Sequence, residues 1–90
     1  MKKQIHVYYT GRVQGVGFRF TAQDLAKEKS VFGWAKNLRD GRVEIRAEAE
    51  EKVLKDFLES IKQYFSHYIQ DIEAEWFEAT EEFDNFSIRF

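Results

Sequence analysis

Polar and apolar residues alternate at the start of the chain, where Ile5, Val7 and Tyr9 interleave with His6, Tyr8 and Thr10. A period of two with β-branched and aromatic content predicts a strand. A loop spaced by Gly11, Gly15 and Gly17 follows, and then the period changes. Phe18, Ala22, Leu25 and Ala26 share one face of a helix. Lys27 and Lys29 sit at its C-terminal end, where cations complement the helix dipole. A second strand is expected from about Val31 to Leu38, and Asp40-Gly41 marks a hairpin turn. In the third strand Val43, Ile45 and Ala47 take one face, and Arg42, Glu44, Arg46 and Glu48 the other. Val53, Leu54, Phe57, Leu58, Ile61 and Phe65 line the stripe of a second helix, roughly 50–64. Glu50 and Glu51 open it at the positive end of the dipole. Ile72, Ala74 and Trp76 alternate with acids in a fourth strand, and Phe86, Ile88 and Phe90 alternate in a short last one.

The order is β-α-β-β-α-β with an extra terminal strand, the order of the ferredoxin-like fold. Two helices cannot cover both faces of such a sheet. They are expected on one face of an antiparallel sheet, in a two-layer α+β sandwich. Ninety residues leave room for one core, so residues 1–90 read as a single domain.

Composition narrows the chemistry. Hydrophobic residues are 43% of the chain and aromatics 17%, too apolar for intrinsic disorder. With no Cys there is no disulfide, thiolate nucleophile or Cys-ligated zinc. The two histidines, His6 and His67, exclude a His-rich metal cage and lack partners at ligand or dyad spacing. The acids at 71–84 read as a solvated face without calcium-loop spacing. No metal and no cofactor are expected. No apolar run follows Lys2-Lys3 as in a secretory signal, and no stretch approaches the roughly 18 apolar residues of a membrane span. A cytoplasmic protein without membrane association is expected.

The net charge of −2 hides a split. Residues 1–46 carry ten Lys and Arg against four acids, and residues 47–90 carry four against twelve. Such asymmetry points to an anionic partner. The loop Gly11 to Arg19 supplies a place for one. Its glycines permit left-handed backbone, successive N–H groups there can form an anion nest, and the loop ends at a helix N-terminus. Arg19, in the first helical turn, can hold two anion oxygens. A small-anion cradle for phosphate follows. Spacing alone leaves a plain glycine-rich connection with a surface arginine equally open. The Gly-Lys-Ser/Thr ending of a P-loop and the third glycine of the dinucleotide fingerprint are both absent.

Gly11-Arg12-Val13-Gln14-Gly15-Val16-Gly17-Phe18-Arg19 resembles the acylphosphatase signature over nine consecutive positions. Gly33-Trp34-Ala35-Lys36-Asn37-Leu38-Arg39-Asp40-Gly41-Arg42-Val43-Glu44 resembles that family's second motif. The resemblance implies hydrolysis of an acyl phosphate to carboxylate and inorganic phosphate, by a monomer that needs no metal. It implies that Arg19 binds the phosphate and Asn37 orients the attacking water. It also implies that N–H groups of Gln14, Gly15, Val16, Gly17, Phe18 and Arg19 cradle the phosphoryl oxygens. Ser30 stands where the family often has the Gly that ends helix 1, Ala35 replaces a usual Val and Lys36 a usual Arg.

The chemistry agrees with the residues. A carboxylate leaves an acyl phosphate without needing a proton, so no general acid is required. Phosphoryl transfer asks the protein mainly for positioning and charge stabilisation. No base is evident near Asn37, which leaves an oxygen of the bound phosphate as candidate proton acceptor. Arg12, Lys36, Arg39 and Arg42 are expected around the site, steering a dianion inward.

Two rivals remain. RNA-recognition motifs share the strand order and stack bases on the open sheet face, where His6, Tyr8, Phe32 and Trp34 could lie. The third strand, however, presents Arg42, Glu44, Arg46 and Glu48 instead of aromatics, and the pI near 5.7 argues against nucleic acid. The second rival is a module that binds phosphate or carbamoyl phosphate without turnover.

Overall fold

A computed structural model describes residues 1–90. The elements are β1 (Lys2–Gly11), α1 (Phe18–Lys29), β2 (Phe32–Asn37), β3 (Val43–Glu50), α2 (Glu51–Tyr64), β4 (Ile69–Glu78) and β5 (Phe86–Arg89). One five-stranded sheet has the order β4-β1-β3-β2-β5. The register sets Ile5 against Ala47, Val7 against Ile45 and Ala35 against Ile45. The alternation read from the sequence thus becomes one continuous apolar face, and both helices cover it. No helix is long and apolar enough to cross a membrane.

The sheet is mixed rather than antiparallel throughout, because β5 runs parallel to β2, with Ala35 opposite Ile88. The cause is topological. β4 finishes at the end of the sheet where β2 begins. The chain crosses that end through residues 79–85 and then has only one direction left along the β2 edge. Glu48 pins the crossing: its carboxylate accepts from the Gln4 side chain at 2.5 Å, the Thr80 N–H at 2.6 Å, the Thr80 hydroxyl at 2.9 Å and the Glu81 N–H at 2.9 Å.

The core is built from β1, β2, β3 and one face of each helix. Ile5, Val7, Ile45, Leu54, Phe57 and Ile61 are fully buried; each such side chain contributes roughly 1.5–3 kcal/mol by leaving water. Aromatic packing closes the core toward the glycine loop. The Phe18 ring stacks on Phe65 at 4.6 Å and meets Tyr9 at 4.9 Å. The first residue of α1 is thereby anchored.

One local feature follows the sequence closely and one does not. α1 stops on Ser30, which takes the left-handed conformation at φ 58°, and its N–H reaches the carbonyls of Ala26 and Lys27. β4 departs from the simple pattern. Ile72, Ala74 and Trp76 face the helix side, yet Ile72 and Trp76 remain 36% and 42% exposed. α2 packs over β3 and β1 and leaves this edge strand uncovered.

Candidate active site

The topology brings the C-terminal ends of β1, β2 and β5 together with the start of α1. A cleft of about 120 Å³ opens there, lined by Val13, Gly15, Gly17, Phe18, Arg19, Phe20 and Asn37. Five of the seven residues expected at the site border it: Gly15, Gly17, Phe18, Arg19 and Asn37. Asn37 reaches it because it follows Ala35 by two residues, which turns it to the helix side of the sheet, opposite Val43.

The loop backbone is set by two glycines in the left-handed region, Gly15 at φ 77° and Gly17 at φ 79°. A Cβ at either position would meet nothing, so only the backbone conformation demands glycine there. Gly17 is the N-cap of α1, and no side chain caps it. From Gln14 to Phe20 no backbone N–H donates to a backbone acceptor; pairing resumes at Thr21, which donates to the Gly17 carbonyl at 3.0 Å. The first N–H groups of a helix have no intrahelical partner, and here the free run extends back through the glycine loop. Such a run at the positive end of a helix can receive anion oxygens.

Gln14 and Val16 do not line the cleft. Val16 packs against the core instead. The Gln14 side chain crosses to the β2–β3 hairpin, donating to the Leu38 carbonyl at 2.7 Å and the Arg42 carbonyl at 3.0 Å. It ties the glycine loop to the hairpin that carries Asn37. The hairpin is closed by the Leu38 N–H donating to the Arg42 carbonyl at 2.8 Å, and by Asp40, which accepts from the Arg42 backbone at 3.1 Å and its guanidinium at 2.8 Å. These bonds, the backbone N–H first, hold the Asp40 carboxyl below its ordinary range.

Arg19 is held from the other side. Its guanidinium donates to the Arg89 carbonyl at 3.3 Å and lies 4.8 Å from the centre of the Phe90 ring. The sequence pattern missed both tethers. A glutamine in a loop and a terminal Arg-Phe pair carry no periodic signal, and their partners are 24 to 71 positions away.

Arg42 does not face the cleft as expected. Its guanidinium lies 4.9 Å over Tyr8, on the open face, where the register also puts Lys36. On that face Trp34 is only 7% exposed, because Arg46 and Arg89 cover it at 5.4 and 4.5 Å. Its indole is therefore no free stacking platform for a base. His6 packs against Phe77 with ring centres 4.2 Å apart and planes tilted by 35°; burial and then Arg46 lower its pKa. No three His, Cys, Asp or Glu side chains gather as a metal site. Larger hollows of about 300 Å³ lie beside β4, one bordered by Lys62 and Ile72 and another by Lys3 and Trp76. Neither is bordered by an arginine or by the glycine loop.

Comparison with known proteins gives the family and supports the fold. The Acylphosphatase family model matches residues 5–88. An acylphosphatase of Bacillus velezensis is 52% identical over 60 residues, 67% of each chain. One from Caldanaerobacter subterraneus subsp. tengcongensis is 36% identical over 89 residues, 98% of this chain and 99% of that one. The crystal structure of acylphosphatase from Bacillus subtilis superposes with a TM-score of 0.90 at 41% identity, covering 98% of this chain and 99% of that chain.

Proposed function

This chain belongs to the acylphosphatase family, and we propose that it hydrolyses acyl phosphates without a metal, through the glycine loop, Arg19 and Asn37. The phosphoryl oxygens lie against the free N–H groups of residues 14–20, with the Arg19 guanidinium on the same group. The Asn37 carboxamide holds a water in line with the carboxyl–phosphate bond. The water oxygen attacks phosphorus, the bond to the acyl oxygen breaks, and the carboxylate departs with the electron pair. The water proton passes to a phosphoryl oxygen. Positioning and electrostatic stabilisation supply the acceleration.

The observation that carries this reading is the unbroken run of unpaired N–H donors beside Arg19 and Asn37. It also supports a small-molecule partner over a polyanion, as does the guanidinium cover on Trp34. The absence of Cys suits a cytoplasmic single domain, and a monomer contains every residue the reaction uses.

Benzoyl phosphate hydrolysis in EDTA tests the proposal. Turnover that survives chelation is expected; folded protein without turnover sinks the enzyme reading, and EDTA-sensitive turnover sinks the metal-free route. Asn37→Ala should lose turnover and keep phosphate binding, whereas Arg19→Gln should weaken both. Full activity in Asn37→Ala removes its assigned role.

A further inference from the structure

Phe20 borders the phosphate cleft and is 57% exposed. It sits on the first turn of α1, next to Arg19, where nothing in the core requires an aromatic ring. Phe90 packs on the Arg19 guanidinium, its ring centre 4.8 Å from the guanidinium carbon, and is 91% exposed. Large apolar side chains left in water beside a polar cleft mark a surface that something else covers.

The size of the cleft says which part of a substrate does so. A cleft of about 120 Å³ is of a size to seat a phosphoryl group with its attacking water, and it is open to solvent on one side, so the acyl group extends toward that opening. The attacking and leaving oxygens must be in line. With Asn37 and its water inside, the acyl group projects through the mouth, where Phe20 is exposed and Phe90 lies beyond it on the Arg19 guanidinium.

Resting on the proposed activity, we propose that Phe20 and Phe90 form an aromatic rim that selects acyl phosphates bearing flat or apolar acyl groups over small polar ones. The Phe20 ring and the free side of Phe90 pack against the acyl group, and the Arg19 guanidinium beside Phe90 serves the phosphate. Phe20 is the specificity-determining residue of the pair, because Phe90 also supports Arg19.

One enclosed methylene changes selectivity about 10–200-fold. A rim open to water gives the low end of that range, so a tenfold effect is the expected scale.

The test compares kcat/KM for benzoyl phosphate and acetyl phosphate in the wild-type protein, Phe20→Ala and Phe20→Tyr. Removing an exposed ring leaves the fold intact, and circular dichroism checks this. The benzoyl-to-acetyl ratio should fall roughly five- to tenfold in Phe20→Ala, at the low end expected for an open wall, and recover in Phe20→Tyr, which keeps the flat ring. Equal losses on both substrates, or an unchanged ratio, overturn the rim and leave the hydrolase reading standing. Failure of the wild-type protein on both substrates overturns the hydrolase reading and the rim with it.

Discussion

Gln14→Ala isolates the joint between the two halves of the site. The substitution deletes the bonds from the Gln14 amide to the Leu38 carbonyl at 2.7 Å and the Arg42 carbonyl at 3.0 Å. Each neutral bond contributes about 0.5–1.5 kcal/mol net. Neither carbonyl is orphaned, because Leu38 still accepts from the Gly41 N–H at 3.2 Å and Arg42 from the Leu38 N–H at 2.8 Å. The loss should therefore stay near the lower end, about 1–2 kcal/mol in total. For a domain of this size that lowers Tm by about 5–15 °C. Activity should fall further than stability suggests. At a temperature where the variant is folded, a loop displaced by about 1 Å from Asn37 costs up to roughly 100-fold in kcat/KM. Gln14→Glu keeps the shape but turns a donor toward two carbonyl oxygens as an acceptor, so it should be worse than alanine. Thermal unfolding by circular dichroism and benzoyl phosphate kinetics give both readouts. A Gln14→Ala protein whose Tm and kcat/KM match the wild type would refute the clamp.

Other positions give separate checks. Ser30→Gly should raise stability by up to about 1 kcal/mol, since Ser30 holds a left-handed φ of 58° and glycine does so without strain; a lower Tm on thermal unfolding contradicts this. Burial opposes ionisation of Glu48, but the backbone of Thr80, the Gln4 amide, the Thr80 hydroxyl and the Glu81 backbone outweigh it and lower its pKa. A depressed folded pKa contributes stability that is fully present above the ordinary glutamate value of 4.5 and is lost as pH falls through the folded value. Urea midpoints from pH 7 to pH 3 should therefore fall less steeply in Glu48→Gln than in the wild type, and parallel curves would remove Glu48 from the acid response.

The parts of the fold legible in the sequence are those set by neighbouring residues. Alternation of Ile5, Val7 and Tyr9 marks a strand whatever it pairs with, and the Leu54, Phe57 and Ile61 stripe marks a helix face whatever covers it. The glycine loop proposed as the phosphate cradle is legible for the same reason: Gly15, Gly17 and the start of α1 lie within a few residues of one another. What escaped depends on chain direction and distant partners. The parallel β5 follows from β4 ending at the far edge of the sheet. The turn of Arg42 away from the cleft follows from Tyr8 on a neighbouring strand and from Asp40 in its own hairpin. The tethers on Arg19 and the clamp by Gln14 exist only once the ends of β1, β2 and β5 meet.

The central claim is that the N–H groups of residues 14–20 receive a phosphoryl group. Titration of the ¹⁵N-labelled protein with inorganic phosphate tests it directly. The account predicts saturable amide shifts concentrated at Gln14 to Phe20, with the same phosphate dependence at the Asn37 side chain, and their loss in Arg19→Gln. Shifts centred instead on Trp34, Arg46 and Arg89, or on the hollow beside Lys62, with residues 14–20 unmoved, would contradict it.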